Sequence, residues 1–340
     1  MGRAWKCPGI GQAGRGDLMC CLIRVKCLPV SAQRSDIQVL RGVAILLVII
    51  HHAIPVTGPY GYYGVDLFFV ISGFLMTQMI VKDLDRGTFT FSGFYIRRAR
   101  RLLPASLFTL AASTIVALAV LTQRHDYWRD LIGALTFTAN FTALIPSAVD
   151  FYPLRHMWSL SLEEQFYLLY PLLLWLIPTR QRLVWLSSLA VVSFAGWLIV
   201  GGERAFYLLP LRAWELLLGT ILFTVGFTKP TRLAFKPLER IGDWSYSLYL
   251  IHWPLFAFAS LYVGWPLPLP FALALSFVAV ALAAAQYQYV EQRWRLRSTA
   301  EPRGGAGESF LADQTVHERE GAANCYTARP VPVDLKRLFR

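Results

Sequence analysis

Nine stretches of this chain are long enough and apolar enough to lie in a lipid bilayer, and that excludes most folds before any motif is read. They fall near residues 37–55, 62–82, 102–121, 128–146, 162–178, 183–200, 208–227, 243–262 and 268–290. A helix needs about 17–25 such residues to cross the hydrocarbon core, and only helices and closed barrels satisfy their backbone polar groups without water. The sequence therefore predicts an all-α polytopic membrane bundle of about nine transmembrane helices. Composition agrees. Only 16% of residues are charged, against about 25% in soluble domains, and mean hydropathy is +0.44.

Charge gives an orientation. Lys82, Arg86, Arg97, Arg98, Arg100 and Arg101 crowd the link between the second and third stretches. That link is expected in the cytoplasm, with the N-terminus on the same side and the uncharged loop 55–61 outside. Beyond the fifth stretch the bias is too weak to orient anything. The net charge of +12 reads as loop charge beside a membrane. No soluble basic patch is evident, so no nucleic-acid partner is expected.

The chain divides into a polar N-terminal extension (1–33), a membrane domain (34–297, with a short polar link near 228–241) and a flexible polar tail (298–340). The extension lacks the apolar core of a signal peptide, and Met19 offers an alternative start. Its GIGQAG run (9–14) matches GxGxxG, but no strand precedes it and no βαβ unit surrounds it, so it carries no dinucleotide-binding reading. Cys7, Cys20, Cys21, Cys27 and Cys325 lie outside the apolar stretches without CxxC spacing. Neither a disulfide framework nor a metal site is expected.

Ionisable residues inside the apolar stretches mark the candidate site. Arg41 and His52 are eleven residues apart. At 100° per residue this is within about 20° of three turns, so both share one helix face about 16 Å apart, with His51 off to the side. Such a cation normally faces a protein interior or a wet cavity. The alternative is that Arg41 snorkels to the inner surface and His52 closes the outer end. In GVDLFFVISGF (64–74), Asp66 is either an interfacial carboxylate or a substrate contact. Ser72 and Gly73 are small enough to admit a neighbouring helix, and Ser72 could also meet substrate. In FYIRRARRLLPA (94–105), a basic amphipathic stretch stopped by Pro104, Arg98 and Arg101 are i,i+3 neighbours. They could hold phosphates bidentately or simply meet anionic lipid.

In RHMWSLSLEEQFYLLYPLLL (155–174), Ser161 and Glu164 have capping-box spacing. With His156 just before, Glu164 could equally serve proton transfer. His252, in WSYSLYLIHWPL (244–255), reads as a satisfied core histidine.

Together these segments, with QVLRGVAILLVIIHHA (38–53), FYLLPLRAWELLLG (206–219) and YVEQRWR (289–295), resemble in order the membrane acyltransferase-3 family, which includes bacterial O-antigen and exopolysaccharide O-acetyltransferases. The resemblance covers roughly residues 34–297 and implies an integral bacterial inner-membrane protein. It implies transfer of an acyl group, commonly acetyl from acetyl-CoA as cosubstrate with no permanently bound cofactor, to a carbohydrate hydroxyl. The family's arginine-x10-histidine pattern falls on Arg41 and His52, its RxxR on Arg98 and Arg101, and its FFxxSGF-like motif on Phe68 to Phe74. The implied roles are general base for His52, orientation or charge stabilisation for Arg41, and CoA phosphates for Arg98 and Arg101. Glu164 and His156 would tune or relay the proton, and an acyl-histidine intermediate is an open variant.

The chain departs from the family in two places. A short link stands where relatives have further spans, and the tail is too short for the soluble hydrolase-like domain many carry. Two other readings therefore stand beside acyl transfer: a polysaccharide translocation component without chemistry, and a shortened, inactive member.

Overall fold

A computed structural model describes residues 34–55, 60–122, 124–146, 152–227 and 233–294. The extension 1–33 with its GIGQAG run and Met19, all five cysteines, and the tail 298–340 lie outside the described residues. So do parts of the loop 55–61 and of the 228–241 link. The described residues contain helices and no strand.

The helices are α1 (Ser35–Ala53), α2 (Tyr60–Asp85), α3 (Phe91–Val120), α4 (His125–Leu135), α5 (Ala139–Thr142), α6 (Met157–Leu176), α7 (Arg182–Val200), α8 (Gly202–Tyr207), α9 (Leu209–Thr224), α10 (Lys236–Val263) and α11 (Leu269–Gln286). A π-helical turn, Tyr287–Glu291, extends α11. Among the described residues six helices are long and apolar enough to cross a membrane: α1, α2, α3, α7, α10 and α11 continued to Trp294.

Among the described residues these six do not confirm the expected count of about nine, for physical reasons. The stretch 128–146 is not one helix. Phe137 takes φ 55, in the left-handed region where an α-helix cannot continue, and the chain breaks into α4 and the four-residue α5. Helix α9 has 16 residues, about 24 Å, short of a bilayer core. Helix α6 has 20 residues, but Glu163, Glu164 and Gln165 dilute its apolarity. Pro104 does not stop the basic stretch, since α3 runs through it to Val120. In a membrane bundle, groups from neighbouring helices satisfy the backbone a proline disturbs. Close by, the Tyr246 hydroxyl of α10 donates to the Leu102 carbonyl at 2.9 Å and ties α3 to α10.

The packing forms a row in which α11 meets α10, α10 meets α1, α1 meets α2, α2 meets α9 and α9 meets α7. Lipid tails are as apolar as the helices, so close backbone approach takes the place of a hydrophobic driving force. Two reciprocal glycine pairs provide it. A Cβ on Gly73 would stand 1.9 Å from the Leu216 carbonyl oxygen, and one on Gly219 the same distance from that of Val70. Gly42 and Gly242 do likewise where α1 crosses α10, against the carbonyls of Leu238 and Gln38. Gly73 thus admits a neighbouring helix, as its size predicts. Lipid-facing surfaces remain apolar, with Ile199 84%, Phe277 76% and Ile115 70% exposed.

Candidate active site

A cavity of about 230 Å³ opens among α1, α2, α3, α6 and α10. Helical spacing puts its polar wall in place. From α6, Ser159, Glu163 and Tyr167 follow one another at i,i+4 on one face, and from α10, Ser245, Tyr246 and Tyr249 share another. Arg41 of α1, Ser72 of α2, and Arg98 and Arg101 of α3 complete it, with Phe68, Phe69 and Met76 among its apolar lining.

The charged groups are organised. The Arg98 guanidinium grips Glu164 through Nη2 at 2.9 Å and Nε at 3.1 Å and lies over the Tyr167 ring, 3.2 Å from its centroid. Ser72 Oγ donates to Glu163 at 2.9 Å. Arg97, one residue outside this face, pairs with Asp83 and ties the start of α3 to the end of α2. Glu164 therefore does not cap a helix. Helix α6 begins at Met157, four residues before Ser161, and the Ser161 hydroxyl donates to the Met157 carbonyl at 3.1 Å while accepting from the Ala139 N–H at 3.2 Å.

The histidines lie beyond the cavity's Tyr249 wall. The ring of His52 is 5.3 Å from that of His252, 4.6 Å from Trp253 and 5.2 Å from His51. His156 stands 5.9 Å from His252 and 5.5 Å from Tyr249. Among the described residues, the buried Nε2 of His252 has no hydrogen-bond partner. His252 is thus half satisfied as a core histidine among the described residues: its Nδ1 meets the Leu248 carbonyl at 3.1 Å, and its other nitrogen finds no partner there.

The structure thus gathers Arg41, Ser72, Arg98 and Arg101 on one cavity, with Glu164 held behind Arg98. It gathers His52 and His156 around His252. Arg41 and His52 do not share a wall, because the Tyr249 ring and the imidazoles stand between the cavity and His52. Asp66 belongs to a third group, in which Arg212 of α9 pairs with it and also with Glu215 at 2.9 Å. Phe206, Phe69 and Trp158 surround that guanidinium, with ring centroids 5.2, 5.4 and 5.8 Å away.

Glu163, Tyr249 and the Arg212–Glu215 pair escaped the sequence reading. A signal existed for the first two: polar residues repeating at i,i+4 through otherwise apolar helices mark a face turned from lipid. For Arg212 the signal was an arginine and a glutamate three apart in an apolar helix.

The family description "Acyltransferase domain" matches residues 34–228. "O-acetyltransferase OatA" of Staphylococcus aureus is 32% identical over 200 residues, 54% of this chain and 33% of that protein. "Putative peptidoglycan O-acetyltransferase YrhL" of Bacillus subtilis is 33% identical over 205 residues, 55% of this chain and 32% of that protein. An S. aureus (strain COL) protein named as a "Putative O-acetyltransferase" is 34% identical over 203 residues, 54% of this chain. The chain's match spans about a third of the length of these relatives. No solved structure matches.

Proposed function

Since this chain belongs to the acyltransferase-3 family, we propose that it moves an acyl group, acetyl in the first instance, from a CoA thioester to a hydroxyl of a cell-envelope carbohydrate. The observation that carries this reading is the cavity itself, where Arg41, Arg98, Arg101 and Glu163 converge inside an apolar bundle. Ionisable groups at such depth are costly and mark functional paths. Peptidoglycan, named for one relative, is the first acceptor to test.

The roles follow from the chemistry. Arg98 and Arg101 hold the CoA phosphates, with Glu164 fixing the Arg98 fork in orientation. At about 230 Å³ the cavity is below the usual range for drug-sized ligands, which favours entry of the thin thioester arm while the nucleotide end stays at the mouth. Arg41, on the cavity wall, orients the donor. His52 takes the proton of the attacking hydroxyl, with His156 behind it. Ser72 contacts the substrate from the cavity wall, and Asp66, whose side chain is 30% exposed beside Arg212, keeps an edge for an acceptor hydroxyl. The cytoplasmic placement of the N-terminus and of the Arg98 end of the bundle, in a bacterial inner membrane, belongs to this proposal.

The test uses membranes carrying the chain, acetyl-CoA labelled in the acetyl group, and extracted peptidoglycan. Label is expected on the glycan. His52→Ala is expected to lower its rate by about 10²–10⁴ while the protein stays in the membrane. An unlabelled glycan with the unaltered chain refutes the reading, and near-normal turnover in His52→Ala removes that residue from it.

A further inference from the structure

The cavity wall is rich in hydroxyls, and hydrogen bonds within the protein account for all but one of them. Six lining residues carry a hydroxyl: Ser72, Ser159, Tyr167, Ser245, Tyr246 and Tyr249. Ser72 donates to Glu163 at 2.9 Å, and Tyr167 reaches the other oxygen of that carboxylate at 3.4 Å. Ser159 donates to Tyr249 at 2.6 Å, which donates on to the His156 carbonyl at 2.9 Å. Tyr246 donates to the Leu102 carbonyl at 2.9 Å. Among the described residues the Ser245 hydroxyl finds no partner, although the residue is fully buried.

That is unusual for a helical hydroxyl in this fold. The ordinary outlet is the carbonyl one turn back along the helix. Thr77, Thr114, Ser161 and Ser276 all take it, at 2.8, 2.7, 3.1 and 2.9 Å. Ser245 lies well inside α10, where the same outlet exists, and does not use it. Burying a hydroxyl without a partner costs stability, and alanine is the better helix former. Packing therefore does not explain a serine at this position. A ligand group entering the cavity does.

Its place along the wall selects the group. The next residue, Tyr246, is tied to Leu102 of α3, which follows Arg101, so Ser245 stands level with the Arg101 end of the basic wall. Tyr249 lies one turn further along α10, about 6 Å, and the imidazoles lie beyond it. Ser245 thus flanks the path from the arginines to the deeper wall. The arm of a CoA thioester is a thin apolar chain interrupted by amides. An amide gives a hydroxyl both a carbonyl to donate to and an N–H to accept from. We propose that Ser245 binds an amide of that arm and so selects a pantetheine thioester over a bare alkyl one. This rests on the acyl-transfer reading.

The experiment measures acetyl transfer to peptidoglycan by the detergent-solubilised full chain, unaltered and Ser245→Ala, from three donors labelled in the acetyl group. Acetyl-CoA carries phosphates and amides, S-acetylpantetheine carries the amides without the phosphates, and ethyl thioacetate carries neither. Ser245→Ala is expected to lower kcat/KM by about three- to tenfold with each of the first two, the worth of one hydrogen bond. The loss falls on KM, and ethyl thioacetate is expected to react as before. The thermal unfolding midpoint is expected to stay or rise, since a partnerless hydroxyl has been removed. A normal kcat/KM with acetyl-CoA overturns the proposal. So does an equal loss with ethyl thioacetate, which puts Ser245 at the thioester, or a loss confined to acetyl-CoA, which puts it at a phosphate. A lowered midpoint identifies a packing role and overturns it as well. If the unaltered chain labels no glycan from acetyl-CoA, the acyl-transfer reading falls and takes this one with it.

Discussion

Arg98 has two jobs in this scheme, and a pair of substitutions separates them. Its side chain is 12% exposed and that of Glu164 15%, so the ion pair is largely shielded from solvent. Removing one partner of such a pair leaves an uncompensated buried charge and costs about 3–5 kcal/mol, whereas replacing both by neutral groups of similar volume is often neutral. Arg98→Met should therefore lower the folded-to-unfolded ratio by two to four orders of magnitude, at about 1.4 kcal/mol per decade. Adding Glu164→Gln should recover most of that loss. Donor binding behaves differently. If Arg98 holds a CoA phosphate, the double variant still lacks the guanidinium, and its KM for acetyl-CoA stays raised by about tenfold or more, the worth of one charge-assisted hydrogen bond. Unfolding by SDS titration in mixed micelles reads the first quantity, and acetyl-CoA saturation kinetics read the second. A double variant normal in both refutes the donor role and leaves Arg98 as a counter-ion. An Arg98→Met variant of unaltered stability refutes the coupling of the pair.

Gly219→Ala places a Cβ 1.9 Å from the Val70 oxygen and 2.8 Å from the Phe74 nitrogen. Both are backbone atoms, so α9 must move from α2, at about 1–3 kcal/mol, and SDS titration should show an earlier midpoint. Arg212→Gln leaves Asp66 and Glu215 facing each other without a cation and should cost about 3–5 kcal/mol by the same assay. Arg212→Lys should rescue it only partly, because an ammonium lacks the fork that serves two carboxylates. In α4, outside the spanning helices, burial raises the Asp130 carboxyl above its ordinary value, against the lowering effect of Arg129. The folded chain then holds this proton more tightly than the unfolded one. The contribution of Asp130 to stability is fully present below the ordinary carboxylate range and is lost as pH rises through it toward the folded value. Asp130→Asn should flatten that fall, measured as unfolding midpoint against pH, and an unchanged slope would exclude Asp130 as its source.

Sequence alone determined that the chain is helical and belongs in a membrane, because a bilayer leaves a run of twenty apolar residues no other arrangement. It also assigned the chain's family from motifs spread from Arg41 to Glu291, and it drew attention to the ionisable groups in apolar helices, which are rare enough to be conspicuous. It could not decide how many helices cross. That depended on the break at Phe137 and on the length of α9, which apolarity averaged over a stretch conceals. It picked out Glu164 and passed over Glu163, its neighbour about 100° away on the same helix. Only the position of α3 sends one to Arg98 and turns the other into the cavity.

The same holds for Arg41 and His52, whose shared face was legible in their spacing. A shared face three turns long passes more than one neighbour, and α10 interposes Tyr249 and His252 between them. Periodicity fixes where a side chain points on its own helix. What it meets there is set by helix crossings, and the paired glycines fix those at distances no single helix encodes.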